Sequence, residues 1–234
     1  SDALFAKVPV IAFLSAMLLN LGALNAKAAP VNIEVPYVSQ APDGSWIAPW
    51  NEACEEASIY MIKSYYQGLT PQTAEIKTKI RGMIDWEQKT FQRYDDTNAE
   101  EIHELIDYVG AFEATIVRNP SIEMIKEELD HKQPVIILVD MYALYDERSQ
   151  GDSYHVAVLT GYDDEKQEFL LQDPARSDKK AYSYERVLKS LHDYNKKSTE
   201  GDGEPTVLFT SPLSESFSWK GFFARIWTFF RELL

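Results

Sequence analysis

Three side chains suited to nucleophilic catalysis occur in this sequence in a suggestive order. Cys54 is the only cysteine among 234 residues, and it begins a predicted helix. A thiol at that place lies next to unpaired N–H groups and the positive end of the helix dipole, which both favour the thiolate. A lone cysteine is nevertheless more often a small buried side chain than a nucleophile. A reactive Cys54 would need a base elsewhere in the chain.

His155 is the histidine best placed to be that base. It opens a predicted core strand over 155–162, which is followed by the turn 163–167 and a second strand over 168–174. Antiparallel pairing brings the start of the first strand near the end of the second, where Asp173 lies. A carboxylate there can hold one tautomer of the imidazole. The alternatives are a histidine at a strand edge and an aspartate that merely ends a strand before proline.

The apolar pattern after residue 53 indicates how the thiol is positioned. Residues 53–67 are predicted to be helical, and Gly68 fits the stop. The residues that share one helical face are Cys54, Ala57, Ser58, Met61, Ile62, Tyr65 and Tyr66. By the same geometry Glu55 and Glu56 are expected to point away from the thiol.

The other elements predict an α+β fold in which a helical first half packs on an antiparallel sheet. A capping box that begins at Thr97 opens a helix over 97–109, and Pro120 is predicted at the first position of a helix that runs to about His131. Further helices are predicted over 71–91 and 183–194, and further strands over 112–117 and 134–140.

Both ends of the chain carry separate signals. After Lys7 an apolar run leads to Ala26-Lys27-Ala28, so residues 1–28 are predicted to be a secretory signal or, alternatively, an uncleaved N-terminal anchor. The protein is therefore expected outside the cytoplasm, secreted or membrane-associated. Residues 196–213 are predicted to be a linker, and residues 214–234 an amphipathic helix. The stretch 217–234 has one apolar face and one basic face, so it contacts a membrane surface or a partner, or it docks on the domain.

Charge and composition exclude some partners. The formal net charge of −14 opposes binding to nucleic acid, and its simplest role is solubility. No ligand spacing typical of a metal site occurs, and no cofactor is expected.

Five stretches of this sequence carry a resemblance to a known family. They are VPYVSQAPDGSW (35–46), EACEEASIYMIKSYYQG (52–68), HVAVLTGYD (155–163), FLLQDPA (169–175) and YSYERVLKSL (182–191). The chain resembles the bacteriocin-leader peptidase-like family of the papain-like clan, in its standalone secreted branch. The resemblance implies a papain-like peptidase domain over residues 29–195. It does not imply cleavage after Gly-Gly, because the chain shows no transporter motif.

The resemblance also implies roles for four residues. Cys54 matches the nucleophile, His155 the general base and Asp173 the residue that orients the histidine. Gln40 matches the glutamine whose amide helps to form the oxyanion hole. The family often has Cys-Gly-Pro at the nucleophile, whereas this chain has Cys54-Glu55-Glu56.

Trp46 and Trp50 flank the loop between Gln40 and Cys54, where they wall a substrate groove or anchor the loop.

Three functions follow as hypotheses. The first is a cysteine peptidase that hydrolyses peptide or protein substrates through an acyl-thioester. The second is a cell-wall peptide amidase or a transferase that uses the same residues. The third is a non-catalytic peptide-binding module on the same fold.

Overall fold

A computed structural model describes residues 29–145, 154–195 and 203–214. The predicted signal or anchor (1–28) lies outside the described residues, and so does the predicted amphipathic helix apart from Ser214.

The centre of the fold is an antiparallel sheet. Its strands are β1 (Val31–Asn32), β2 (Phe112–Arg118), β3 (Val135–Asp140), β4 (Tyr154–Asp163), β5 (Glu168–Gln172), β6 (Lys180–Ser183) and β7 (Thr206–Pro212). The strand order is β2-β7-β3-β4-β5-β6, and β1 pairs with one end of β4. Every residue of β4 is buried, because helices cover the middle of the sheet. The α+β prediction is therefore confirmed.

Six α-helices lie in the described part of the chain. They are α1 (Cys54–Gln67), α2 (Thr73–Thr90), α3 (Ala99–Val109), α4 (Ile122–Asp130), α5 (Met141–Tyr145) and α6 (Tyr184–Ser190). Helix α1 ends as predicted, because Gly68 adopts the left-handed conformation that glycine tolerates best, with φ of 62°. Within residues 29–145, 154–195 and 203–214, no helix has both the length and the apolar character needed to cross a bilayer.

The predicted starts of two helices are wrong by one or two residues. Asn98 rather than Thr97 is the N-cap of α3: its side chain accepts from Glu101 N at 2.9 Å, and Glu101 Oε2 accepts from Asn98 N at 3.1 Å. Helix α4 begins after Ser121, whose Oγ accepts from Met124 N, so Pro120 lies before the cap instead of inside the helix. In both cases the side chain with the better cap geometry sets the boundary.

Strand β7 corrects the predicted linker. Residues 206–212 do not connect two domains; they form a strand between β2 and β3. They pair with β2 from Phe112↔Pro212 to Arg118↔Thr206. Since Val207 and Leu208 are fully buried there, the domain extends beyond the predicted boundary at residue 195.

Candidate active site

Helix α1 presents Cys54 to the sheet. A 3-10 turn over Trp50–Glu52 leads into the helix, and Cys54 is its first residue. The helix is fastened to β4 because Ser58 Oγ donates to the carbonyl oxygen of Val156 at 3.2 Å. The backbone N–H of Val156 in turn donates to the Cys54 sulfur. The thiol therefore lies against the residue that follows His155 on the strand.

His155 and Asp173 come together at one end of the β4–β5 hairpin. His155 Nε2 and Asp173 Oδ1 are 2.7 Å apart, and both side chains are buried. Burial alone would raise the pKa of Asp173, but the charge of His155 and hydrogen bonds from His155, the backbone of Ala175 and Tyr145 outweigh it. The pKa of Asp173 is therefore lowered, and the carboxylate remains ionised beside the imidazole.

The Cys54 thiol donates a hydrogen bond to a neighbouring carboxylate that the sequence predicts on another face of the helix. Its Sγ is 2.9 Å from Glu55 Oε2. Glu55 and Glu56 are both buried, with exposures of 2% and 1%. The expectation that Glu55 points away from the thiol is wrong, whereas Glu56 contacts Glu87. Helix α1 is covered on more than one side, since the sheet packs on one face and the segment around Thr97 on another.

The predicted thiolate is not favoured in this conformation. Burial, followed by the negative charge of Glu55 and its hydrogen bond, raises the pKa of the Cys54 thiol well above its ordinary value. The hydrogen bond from Val156 acts in the opposite direction but is outweighed. The expectation of a lowered pKa at the helix N-terminus is therefore wrong for this arrangement of side chains.

Gln40 lies in the predicted neighbourhood with its amide engaged. Its Nε2 donates to the carbonyl oxygens of Trp50 and Asn51, at 3.2 and 3.3 Å, and its backbone N–H donates to Pro174 at 3.1 Å. Gln40 thus connects the loop before Cys54 to the segment after Asp173. Both amide hydrogens hold that loop, so the side chain does not present a donor for an oxyanion here.

A comparison against protein families gives a match over most of the chain. The model of the Peptidase C39 like family matches residues 32–200. The chain belongs to the peptidase C39-like family. A crystal structure from Bacillus anthracis, provisionally described as a C39-like peptidase, is similar with a TM-score of 0.53 and 17% identity, over 80% of this chain and 100% of that one. At that identity the likeness shows the fold alone. A comparison with curated proteins finds no match.

Two further side chains contact the aspartate of this C39-like site. Tyr145, at the end of α5, donates from its hydroxyl to Asp173 Oδ2 at 2.8 Å. Arg176 Nε lies 3.3 Å from the same oxygen, and its guanidinium is 4.6 Å from the centre of the Tyr145 ring. The sequence pointed to neither residue: Tyr145 is brought from a distant helix, and the only local signal for Arg176 was its position three residues after Asp173.

A buried pair of carboxyl groups lies beside the site. Burial, then the charge of Glu87, raises the pKa of Glu56 well above its ordinary value. Burial likewise raises the pKa of Glu87, to about 8, and is only partly opposed by a hydrogen bond from Glu56. Both carboxyl groups are therefore expected to keep their protons above the pH at which an exposed glutamate loses its own.

The two tryptophans of the loop before Cys54 differ. Trp50 is buried and lies under the cations of Lys77 and Arg81, which are 5.9 and 5.5 Å from its ring centre. Trp46 is 51% exposed. Trp50 therefore anchors the loop on α2, whereas Trp46 faces solvent. In the ranges that the structure describes, no group of three or more His, Cys, Asp or Glu side chains is arranged to hold a metal ion.

Proposed function

We propose that this chain is a cysteine peptidase that hydrolyses peptide bonds through an acyl-thioester on Cys54. The observation that carries the proposal is the 2.7 Å hydrogen bond between buried His155 and Asp173. His155 lies on strand β4, and the next residue of that strand, Val156, contacts the Cys54 sulfur at the start of α1. These two contacts support the roles of nucleophile for Cys54, base for His155 and orienting carboxylate for Asp173.

The proposed reaction assigns one proton path. His155 uses Nε2 for Asp173, which leaves Nδ1 to accept the thiol proton. The sulfur then attacks the carbonyl carbon of the substrate, and the imidazolium returns its proton to the amide nitrogen as the C–N bond breaks. A water molecule, deprotonated by the same imidazole, attacks the thioester and releases the acid and the Cys54 thiol.

The oxyanion of each tetrahedral intermediate needs donors close to the sulfur. The first residues of a helix have backbone N–H groups without partners inside the helix, and Cys54 is the first residue of α1. The N–H of Cys54 is therefore the proposed donor. Gln40 supports it indirectly, because its amide holds the carbonyl groups of the residues that lead into the helix.

The test is cleavage of a mixed peptide library, read by mass spectrometry, with Cys54→Ala and His155→Ala as paired variants. The library includes peptides that contain D-amino acids, which would reveal a cell-wall amidase. We expect cleavage by the wild type, none by Cys54→Ala, and a loss of about 10² to 10⁴ in rate for His155→Ala. Cleavage that persists in Cys54→Ala would overturn the proposal.

A non-catalytic peptide-binding module is the second candidate, and one observation favours it. Cys54 is 6% exposed and its thiol is hydrogen-bonded to a carboxylate, which is an unreactive state for a cysteine. If the library is bound but never cut by the wild type, this candidate replaces the first.

The place of action is proposed from the sequence outside the described residues. The apolar run that ends in Ala26-Lys27-Ala28 supports export from the cytoplasm, and the amphipathic stretch 217–234 supports contact with a membrane surface. Fractionation of cells that express the full chain, with and without residues 215–234, tests both. Recovery of the full chain in the cytoplasm would contradict export.

A further inference from the structure

The Cys54 thiol has a hydrogen-bond acceptor that is not the histidine. Glu55 Oε2 accepts from Sγ at 2.9 Å. A thiol has one proton, so a proton directed at Glu55 is not directed at His155. This contact therefore competes with the first step of the proposed reaction.

The carboxylate of Glu55 is held firmly in that position. Its other oxygen, Oε1, accepts from the backbone N–H of Thr97 at 3.0 Å and from Thr97 Oγ1 at 3.1 Å. The carbonyl oxygen of Thr97 accepts from Tyr154, the residue before His155, at 2.7 Å. A chain of hydrogen bonds thus runs from the thiol through Glu55 and Thr97 back to the strand that carries the histidine.

The charges around the thiol favour its neutral form. On α1 itself the nearest charge is Glu55, and Asp96 adds a second negative charge from the loop before α3. On β4 the neighbours are Tyr154 and His155, of which only the histidine can become positive. Negative groups close to sulfur disfavour a thiolate, and burial increases their effect.

We propose that Glu55 is a positioning residue that keeps the nucleophile latent, by holding Cys54 as a thiol turned away from His155. The inference rests on the proposed function and concerns the regulation of the same site. Reaction then requires the S–H bond to rotate from Glu55 Oε2 to the free nitrogen of His155. Substrate that enters the site and displaces the Glu55 contact would supply this change.

Glu55→Gln is a sharp test because the amide is isosteric. Its oxygen can still accept from Thr97, so its nitrogen faces the sulfur and becomes a donor where the carboxylate was an acceptor. A donor favours the thiolate, and each tenfold increase in thiolate gives a tenfold increase in the rate of alkylation at a pH below the thiol pKa. We expect iodoacetamide to alkylate Glu55→Gln at neutral pH at least about tenfold faster than the wild type.

The matched control is Glu56→Gln. It makes the same carboxyl-to-amide replacement in the next residue of the same helical turn, which is equally buried but contacts Glu87 rather than the thiol. We expect its alkylation rate to remain close to that of the wild type. Equal alkylation rates for wild type and Glu55→Gln, or equal acceleration of alkylation in both variants, would overturn the proposal that Glu55 keeps the thiol latent.

A second measurement needs no variant. Because Cys54 is the only cysteine, the S–H stretching band in the infrared spectrum reports on this thiol alone. A hydrogen bond to a carboxylate lowers the frequency of that band below the value of a free thiol, which is the expected result. A band at the free-thiol position in the full chain at neutral pH would refute the contact directly.

Peptide cleavage by the same proteins separates the two proposals. If the wild type cuts peptides and Glu55→Gln is alkylated no faster than the wild type, the proposed role of Glu55 is wrong and the proposed peptidase activity is supported. If Glu55→Gln is alkylated faster than the wild type but neither protein cuts any peptide, the proposed role of Glu55 is supported and the proposed peptidase activity is wrong.

Discussion

Replacing Glu87 with glutamine should change how the stability of the protein depends on pH. Glu87 on α2 and Glu56 on α1 are each 1% exposed, and burial raises the pKa of both carboxyl groups. Burial raises the pKa of Glu87 to about 8, whereas an unfolded glutamate titrates near about 4.3. Between these values the folded state holds a proton that the unfolded state has released.

The sign and the size of the effect follow from this difference. Because folded Glu87 keeps its proton, its contribution to the free energy of unfolding is most favourable at acid pH and falls as the pH rises through the window from about 4.3 to about 8. One proton contributes up to about 1.4 kcal/mol per pH unit, so Glu87 accounts for a loss of roughly 2.5 kcal/mol between pH 5 and pH 7.

Urea unfolding at pH 5, 6 and 7 measures this loss. Glu87→Gln keeps the shape of the side chain without a titrating group, so it should lose roughly 2.5 kcal/mol less than the wild type over that range. Glu104→Gln, at an exposed position of α3, is the control and should follow the wild type. If Glu87→Gln lost stability as steeply as the wild type, the reasoning about the buried pair would be refuted.

Substitutions at three further positions give separate checks. Asp173→Asn removes the charge that faces His155, so kcat/KM for any peptide cut by the wild type should fall at least about tenfold, while an unchanged rate would contradict the orienting role. Gly82→Ala should raise the free energy of unfolding by about 0.5–1 kcal/mol, because Gly82 lies inside α2 and an added Cβ meets no atom within 4 Å. Asn98→Ala should lower it by about 1 kcal/mol in urea unfolding through loss of the α3 cap, and Asn98→Ser should restore most of the loss.

The contact between His155 and Asp173 could be predicted because it is local. The two residues belong to one hairpin with a short turn, and antiparallel pairing leaves few alternatives once the strands are recognised. The observed register, with Val158 opposite Gln172, places the start of β4 beside the end of β5 as expected. The start and end of α1 were readable for a similar reason, since periodicity and Gly68 are properties of the helix itself.

Strand β7 shows what local reasoning misses. Its partners in β2 are roughly 90 to 100 residues away in sequence, and the tract before it is rich in turn-forming residues. The stretch TVLFT over 206–210 is rich in β-branched and apolar residues, but local pattern alone does not say which strands it would join. Only the gap between β2 and β3, which it fills, shows that residues 206–212 belong to the sheet.

The state of the nucleophile was likewise decided by tertiary structure. The sequence by itself determined that a cysteine begins a helix and that a histidine and an aspartate meet across a hairpin, because these depend on periodicity and on neighbouring strands. Helical geometry also turned Glu55 away from the face that meets the sheet, but it could not show that Thr97 covers the adjacent face. Packing buried the thiol and placed Glu55 against it, and burial followed by the charge of Glu55 raises the pKa of Cys54 well above its ordinary value.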